Sequence, residues 1–299
     1  MKVFKSESAK KEVYDSYEKL VEDWGVPVEE RDLDTTYGTT HVIMAGDVNN
    51  PPMLAFHGVG DNSAIMWMEN AKELAKHFRF IAIDTMGGAG KSVPNEQYEK
   101  SFDLVRWYGE IADSLKIKKT FLIGVSYGAY QCQLFSTAYP DLVEKMVPLA
   151  GYLAAEGYET SHFYMFKRMM KYLLPEALFP SRKNAMKIFD KLSGSSYDKN
   201  AINENIMDHF YLLIRNYRMQ AQFVHKRKNF NPDEIEIFKG KSLFLVGDVD
   251  ELALFPRAKQ ALEDFKMNFK IYTGVGHTIN YIKPREIEQD IIRFCVGGL

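Results

Sequence analysis

The regular exchange of short apolar runs with segments of helical period constrains this chain more than any other feature. MLAFHG is followed by SAIMWMENAKELAKHF, FRFIAID by FDLVRWYGEIADSLKI, and KTFLIG by YGAYQCQLFSTAYP, which Pro140 closes; VEKMVPLAG ends the series. Short buried strands alternating with helices predict an α/β fold, a mostly parallel sheet covered by helices on both faces. The rhythm then stops. Beyond Gly151 come helical patterns rich in Met and aromatics, such as HFYMFKRMMKYLL and IMDHFYLLIRNYRMQAQFV, with no convincing strand. It returns with SLFLVG, PRAKQALEDF, FKIYTGV and PREIEQDIIRFC.

An all-helical block inside such a rhythm reads as a cap, not as an independent domain. The expected division is 1–150 and 236–299 as the α/β core and 151–235 as a helical cap or lid. Residues 1–30 form an N-terminal helical extension, in which Val13, Tyr17, Leu20, Val21 and Trp24 recur at helical spacing. A Met and aromatic stripe is usually core; over a site, the same side chains would line an apolar pocket.

Composition narrows the functional classes. A formal charge of -2 gives no electrostatic case for nucleic acid or anionic lipid. The basic run HKRK (His225 to Lys228) reads as a solvated helix face. The charged start MKVFKSESAKKEVYDSYEKL lacks the apolar region of a signal peptide, and no apolar run approaches the roughly 20 residues of a membrane helix. Cys132 and Cys295 make no disulfide framework, so a reduced, cytoplasmic protein is expected. There is no CxxC, HExxH or HxH spacing, and metal ligation is not expected.

Within FLIGVSYGAY, Ser126 stands between Gly124 and Gly128, directly after a strand and before a helix. The five-residue pattern alone is weak, because a serine in a glycine turn is usually structural. A serine nucleophile needs a base, normally a histidine held by a carboxylate, and two donors for the developing oxyanion. Open α/β sheets gather such groups at the C-terminal ends of strands. After SLFLVG come Asp248 and Asp250, and after FKIYTGV comes His277. Asp250 is favoured, since a few residues of loop are needed to turn a carboxylate back toward the histidine. Each residue has a bland reading, the aspartate as a helix N-cap and the histidine as a hydrogen-bonded core residue. Three independent placements at strand ends favour a Ser126–Asp250–His277 triad. The loop His57-Gly58-Val59-Gly60 after MLAF supplies one oxyanion donor, the Val59 N–H, and Tyr127 N–H the second; His57 is expected to hold the loop.

HGVG, DTMGGAGKS, GVSYG, GDVDEL and GVGHT, in this order, resemble the α/β-hydrolase superfamily. The N-terminal helix and TTYGTTHVIMAGDVNNPPMLAFHG look most like bacterial carboxylesterases of the naproxen-esterase (carboxylesterase NP) type. The resemblance implies an eight-stranded sheet, a helical cap after the sixth strand, the same triad and no cofactor. It also favours Asp250, three residues beyond the glycine that ends its strand, Gly247. One stretch departs from the pattern: DTMGGAGKS carries a glycine more than the family loop. It fails as a phosphate-binding P-loop, because Thr85 stands where that motif needs glycine. Asp84 and the glycines are expected to shape one wall near the site.

The implied activity is cleavage of a small-molecule carboxylic ester through an acyl-enzyme. The apolar cap suggests an apolar or aromatic acyl part, with Tyr127, Phe163, Tyr164 and Tyr281 as candidate lining residues. The same triad could act on a C–C bond, an amide, a thioester or a lactone. A ligand-binding or signalling protein that keeps the fold without turnover is the alternative from another class. Relatives that remove halide or open epoxides carry aspartate where this chain has Ser126.

Overall fold

In the computed structural model, which describes residues 1–160, 162–195 and 202–297, the apolar runs become the central strands of one sheet. The strands are β1 (Val28–Thr35), β2 (Gly38–Ala45), β3 (Pro52–Phe56), β4 (Arg79–Ile83), β5 (Val93–Pro94), β6 (Thr120–Val125), β7 (Val143–Leu149), β8 (Phe244–Gly247) and β9 (Phe269–Tyr272). Their order is β1-β2-β4-β3-β6-β7-β8-β9, and β5 pairs with β2. From β4 onward the neighbours are parallel, whereas β2 runs antiparallel to β1 and β4. The sheet therefore holds the eight implied strands plus β5, a two-residue addition whose Pro94 suits an edge because it cannot donate to a ladder.

Alternation along each strand divides the interior in two. Met53 and Ala55 of β3 join Ile123 and Val125 of β6 in one core, while Leu54 and Phe56 join Leu122 in the other. The covering helices are α1 (Glu7–Glu22), α2 (Ser63–Met66), α3 (Ala71–Leu74), α4 (Glu96–Ser101), α5 (Leu104–Ser114) and α6 (Tyr127–Ala138). Between β7 and β8 lie α7 (His162–Leu173), α8 (Arg182–Ser193), α9 (Glu204–Asn216) and α10 (Pro232–Lys239). The chain ends with α11 (Arg257–Asp264), α12 (Ile279–Ile282) and α13 (Pro284–Val296). The insert between β7 and β8, the sixth and seventh strands of the main path, is helical among the described residues; α10 runs across the expected limit at 235.

Two elements differ from the periodic reading. SAIMWMENAKELAKHF forms α2 and α3 instead of one helix, because side chains from elsewhere take the carbonyls that would continue α2. Trp24 Nε1 donates to Ala64 O at 2.9 Å, Tyr281 Oη to Ile65 O at 3.0 Å and Asn280 Nδ2 to Met66 O at 2.7 Å. The strand β1, VEERDLDT, carries charges on both faces and lies at the sheet edge, where burial imposes no alternation. Helix α1 buries the stripe that its spacing predicts and packs against α9 of the insert. The segment before it is tied there too: Lys5 N–H donates to Asn216 O at 3.0 Å and Arg218 N–H to Val3 O at 2.9 Å. Among the described residues no helix is long and apolar enough to cross a membrane.

At that edge His41 of β2 lies between two carboxylates of β1, 2.8 Å from Glu30 and 2.7 Å from Asp32, and Lys91 Nζ is 2.6 Å from Glu30. Burial opposes the imidazolium, but the bond to Glu30, with Asp84 and Asp32 adding, leaves the His41 pKa above its ordinary 6.5. The His41 bond pulls Glu30 from 4.5 to about 2. The histidine therefore stabilises the fold fully below pH 6.5, and this is lost as pH rises through its folded pKa. Glu30 stabilises it above pH 4.5, and this is lost as pH falls toward 2. Calorimetric melting across pH is expected to show His41→Gln losing less Tm than the parent on the alkaline side. Parallel curves for the two proteins would contradict the assignment.

Candidate active site

Ser126 follows the last residue of β6 and precedes α6 with φ 58° and ψ -112°, a left-handed conformation that side chains rarely adopt. The glycines on either side make that turn possible. A Cβ on Gly124 would sit 2.2 Å from Gly128 O, and one on Gly128 would sit 2.0 Å from Phe56 O. Ser126 N–H donates to Leu149 O at 2.9 Å, so β7 fixes the turn from the other side. The serine is left half-buried.

His277 lies beyond β9 and Asp250 beyond β8, and the structure brings them together. Nδ1 of His277 is 2.9 Å from Oδ2 and 3.0 Å from Oδ1 of Asp250, whose carboxylate is buried and also accepts Ala253 N–H at 2.9 Å. Burial would lower the His277 pKa; the Asp250 charge and hydrogen bond, with Asp61 adding, leave it raised above 6.5. Asp248 is engaged elsewhere, accepting Gly274 N–H at 2.6 Å.

The loop after β3 passes close to the serine. A Cβ on Gly58 would be 3.5 Å from Ser126 Cβ. His57 is buried, lowered in pKa by that burial, and spans the loop: Nδ1 donates to Gly58 O at 2.7 Å and Nε2 accepts Thr85 N–H at 2.9 Å. Among the described residues the N–H groups of Val59 and Tyr127 donate to no other protein group. Asp61, two residues past Val59, is a half-buried carboxyl that burial pushes up to about 7. The glycine-rich loop wraps a buried carboxyl group of its own. The Asp84 carboxylate accepts Ser63 N–H at 2.8 Å, Lys91 N–H at 2.7 Å and Tyr17 Oη–H at 3.0 Å, and Gly90 has no room for a Cβ against it. Among the described residues no group of three or more His, Cys, Asp or Glu could hold a metal ion.

Residues 51–284 match the family described as the alpha/beta hydrolase fold. The chain belongs to the alpha/beta hydrolase family. It is 23% identical to the Bacillus subtilis carboxylesterase YbfK over 301 residues, covering 96% of this chain and 94% of that one. The crystal structure of that protein superposes with a TM-score of 0.75 at 22% identity, over 98% of this chain and all of the other. Naproxen esterase (carboxylesterase NP) of the same organism gives a TM-score of 0.75 at 20% identity, over 94% and 96% of the two chains.

In this alpha/beta hydrolase the insert touches every loop just described, which the sequence pattern did not reveal. His209 of α9 is buried; Nε2 accepts Asn62 Nδ2 at 2.9 Å, beside the Val59 loop, and Nδ1 donates to Ser16 Oγ of α1 at 3.0 Å. HKRK is not a solvated helix face: the segment is irregular, and His225 turns inward to accept Tyr127 Oη–H on Nδ1 at 2.8 Å while Nε2 donates to Met86 O at 3.0 Å. Arg227 covers the Tyr127 ring at 4.3 Å. Lys171 and Arg168 of α7 pair with Glu251, next to Asp250, at 3.1 and 3.5 Å. A narrow cleft beside His277, with no room for a water molecule, is lined by Tyr172, Lys191, Leu192, Val249, Glu251 and Leu252 as well as Asp250. Phe163 and Tyr164 stand exposed on the first turn of α7, and Tyr281 is buried against Phe189 with its hydroxyl on Ile65 O; none of the three lines that cleft.

Replacing Asp84 by Asn leaves at least one of its buried donors facing an NH₂ group. Asp84→Asn is expected to lower unfolding stability by about 1–3 kcal/mol, read from urea denaturation. An unchanged midpoint would mean that the carboxylate does not organise this wall.

Proposed function

We propose that the chain is a serine carboxylesterase that works through an acyl-enzyme on Ser126. The observation that carries this reading is the pairing of His277 with buried Asp250, at the same sheet edge as a serine held at positive φ. Asp250 accepts a hydrogen bond from Nδ1–H, which fixes the tautomer and leaves Nε2 as the basic nitrogen. His277 takes the Ser126 proton as the hydroxyl attacks the ester carbonyl, and returns it to the departing alcohol. Water, deprotonated in turn by His277, releases the acid. The N–H groups of Val59 and Tyr127 stabilise the oxyanion in both halves. The names of the relatives, carboxylesterase and naproxen esterase, support an ester over the other bonds this fold can cleave. An apolar or aromatic acyl part is our reading of the insert's apolar side chains; Leu192, Val249, Leu252 and Tyr172 lie beside His277, in a cleft that must widen to admit it.

Kinetics with p-nitrophenyl esters of increasing acyl length test the reading. Ser126→Ala and His277→Ala are expected to show no turnover above background, and Asp250→Asn to lose about 10⁴-fold in kcat. Full turnover in Asp250→Asn alongside an inactive Asp248→Asn would remove Asp250 from the mechanism. Because the base must be neutral, kcat/KM is expected to fall as pH drops through a His277 pKa above 6.5. A flat profile across that range would exclude His277 as the base.

A further inference from the structure

We infer that Ser193, the last residue of α8, is a positioning residue for His277, acting through Thr278. This rests on reading His277 as the base. The end of α8 and the loop carrying His277 meet as a short antiparallel bridge, Gly194 opposite Val275. His277 N–H donates to Leu192 O at 2.6 Å, Gly276 N–H to Ser193 O at 2.9 Å and Ser195 N–H to Gly274 O at 3.0 Å. The insert thus supplies the backbone acceptor for the base itself. Only glycines allow the approach. Gly194, at φ 85°, would bring a Cβ to 2.6 Å from Gly274 O, and a Cβ on Gly276 would stand 2.2 Å from Leu192 O.

Side chains lock the bridge. Ser193 is fully buried, and its Oγ lies 2.7 Å from both Phe189 O and Thr278 Oγ1. A carbonyl can only accept, so the arrangement that satisfies both contacts has Ser193 donating to Phe189 O and Thr278 donating to Ser193 Oγ. Thr278 follows His277 directly and stands at the N-cap position of α12, its hydroxyl turned to Ser193 and not to the helix, so this bond fixes the backbone on the C-terminal side of the base while Leu192 O fixes it at the base. Asp250 holds the imidazole from a different element, β8 and its loop. The ring direction of His277 therefore depends on the insert as well as on the acid, since a small misplacement of a catalytic group is felt in kcat.

The test compares Ser193→Ala, Thr278→Val and Thr278→Ser in the full chain. Two readouts are used: kcat and KM on a p-nitrophenyl ester, and the low-field NMR resonance of the His277 Nδ1 proton. Thr278→Val removes the hydroxyl at constant shape, and Thr278→Ser retains it. Expected are a kcat lowered about tenfold with KM unchanged, and a shifted or broadened resonance, in Ser193→Ala and Thr278→Val. Thr278→Ser is expected to keep both at the parent values. Unchanged kcat and resonance in Thr278→Val would overturn the inference, as would equal losses in Thr278→Val and Thr278→Ser, which would assign the effect to packing. If the parent protein turns over no ester, the esterase reading fails. The resonance still decides the positioning role, upheld by loss in Thr278→Val with retention in Thr278→Ser and overturned by no change.

Discussion

Everything at the site depends on the backbone turn at Ser126. A non-glycine residue at φ 58° costs of the order of 1–2 kcal/mol and persists only where its surroundings over-determine it. Here the surroundings are backbone: Phe56 O of β3 against Gly128, Gly128 O against Gly124, and Leu149 O of β7 accepting the Ser126 N–H. The parallel register of β3, β6 and β7 brings those three strand ends side by side. It also puts the Val59 loop, the serine and, through β8 and β9, Asp250 and His277 on a single edge of the sheet. The strained turn and the gathered site are consequences of one packing arrangement.

The insert contacts that edge at several separate points. His209 holds the Asn62 end of one loop, His225 the hydroxyl of Tyr127, Lys171 and Arg168 the neighbour of Asp250, and Leu192 the N–H of His277. Burial lowers both insert histidines to about 3, and each bridges two groups as donor and acceptor. Helix α1 holds the insert through Ser16, and the segment before it does so through the Lys5–Asn216 and Arg218–Val3 backbone contacts. The N-terminal arm, the insert and the loops at this sheet edge form one connected polar framework around apolar packing.

Much of this was legible in the sequence, for identifiable reasons. Buried parallel strands must be apolar on both faces, so β3, β4, β6, β7 and β8 stand out as runs, and the residues after them, like those after the edge strand β9, mark the site edge. Ser126 could be singled out because it directly follows such a run, and Asp250 and His277 because each lies a few residues beyond one. What could not be read is what depends on distant partners. The charged β1 has no buried alternation to reveal it, and the helix expected at α2 and α3 is broken by carbonyl contacts from Trp24, Asn280 and Tyr281. His225 reads as part of a solvated basic run because its inward-facing bonds to Tyr127 and Met86 leave no periodic trace. Ser193, His209 and their partners are far apart in the chain, and single polar residues carry no spacing signal.

The most direct test of the central claim is the intact mass of the protein after rapid quenching with excess p-nitrophenyl ester, followed by peptide mapping. The account predicts a burst of one p-nitrophenolate per chain and a single acyl group on Ser126, absent from Ser126→Ala. Turnover with no acyl adduct, or an adduct on another residue, would contradict it.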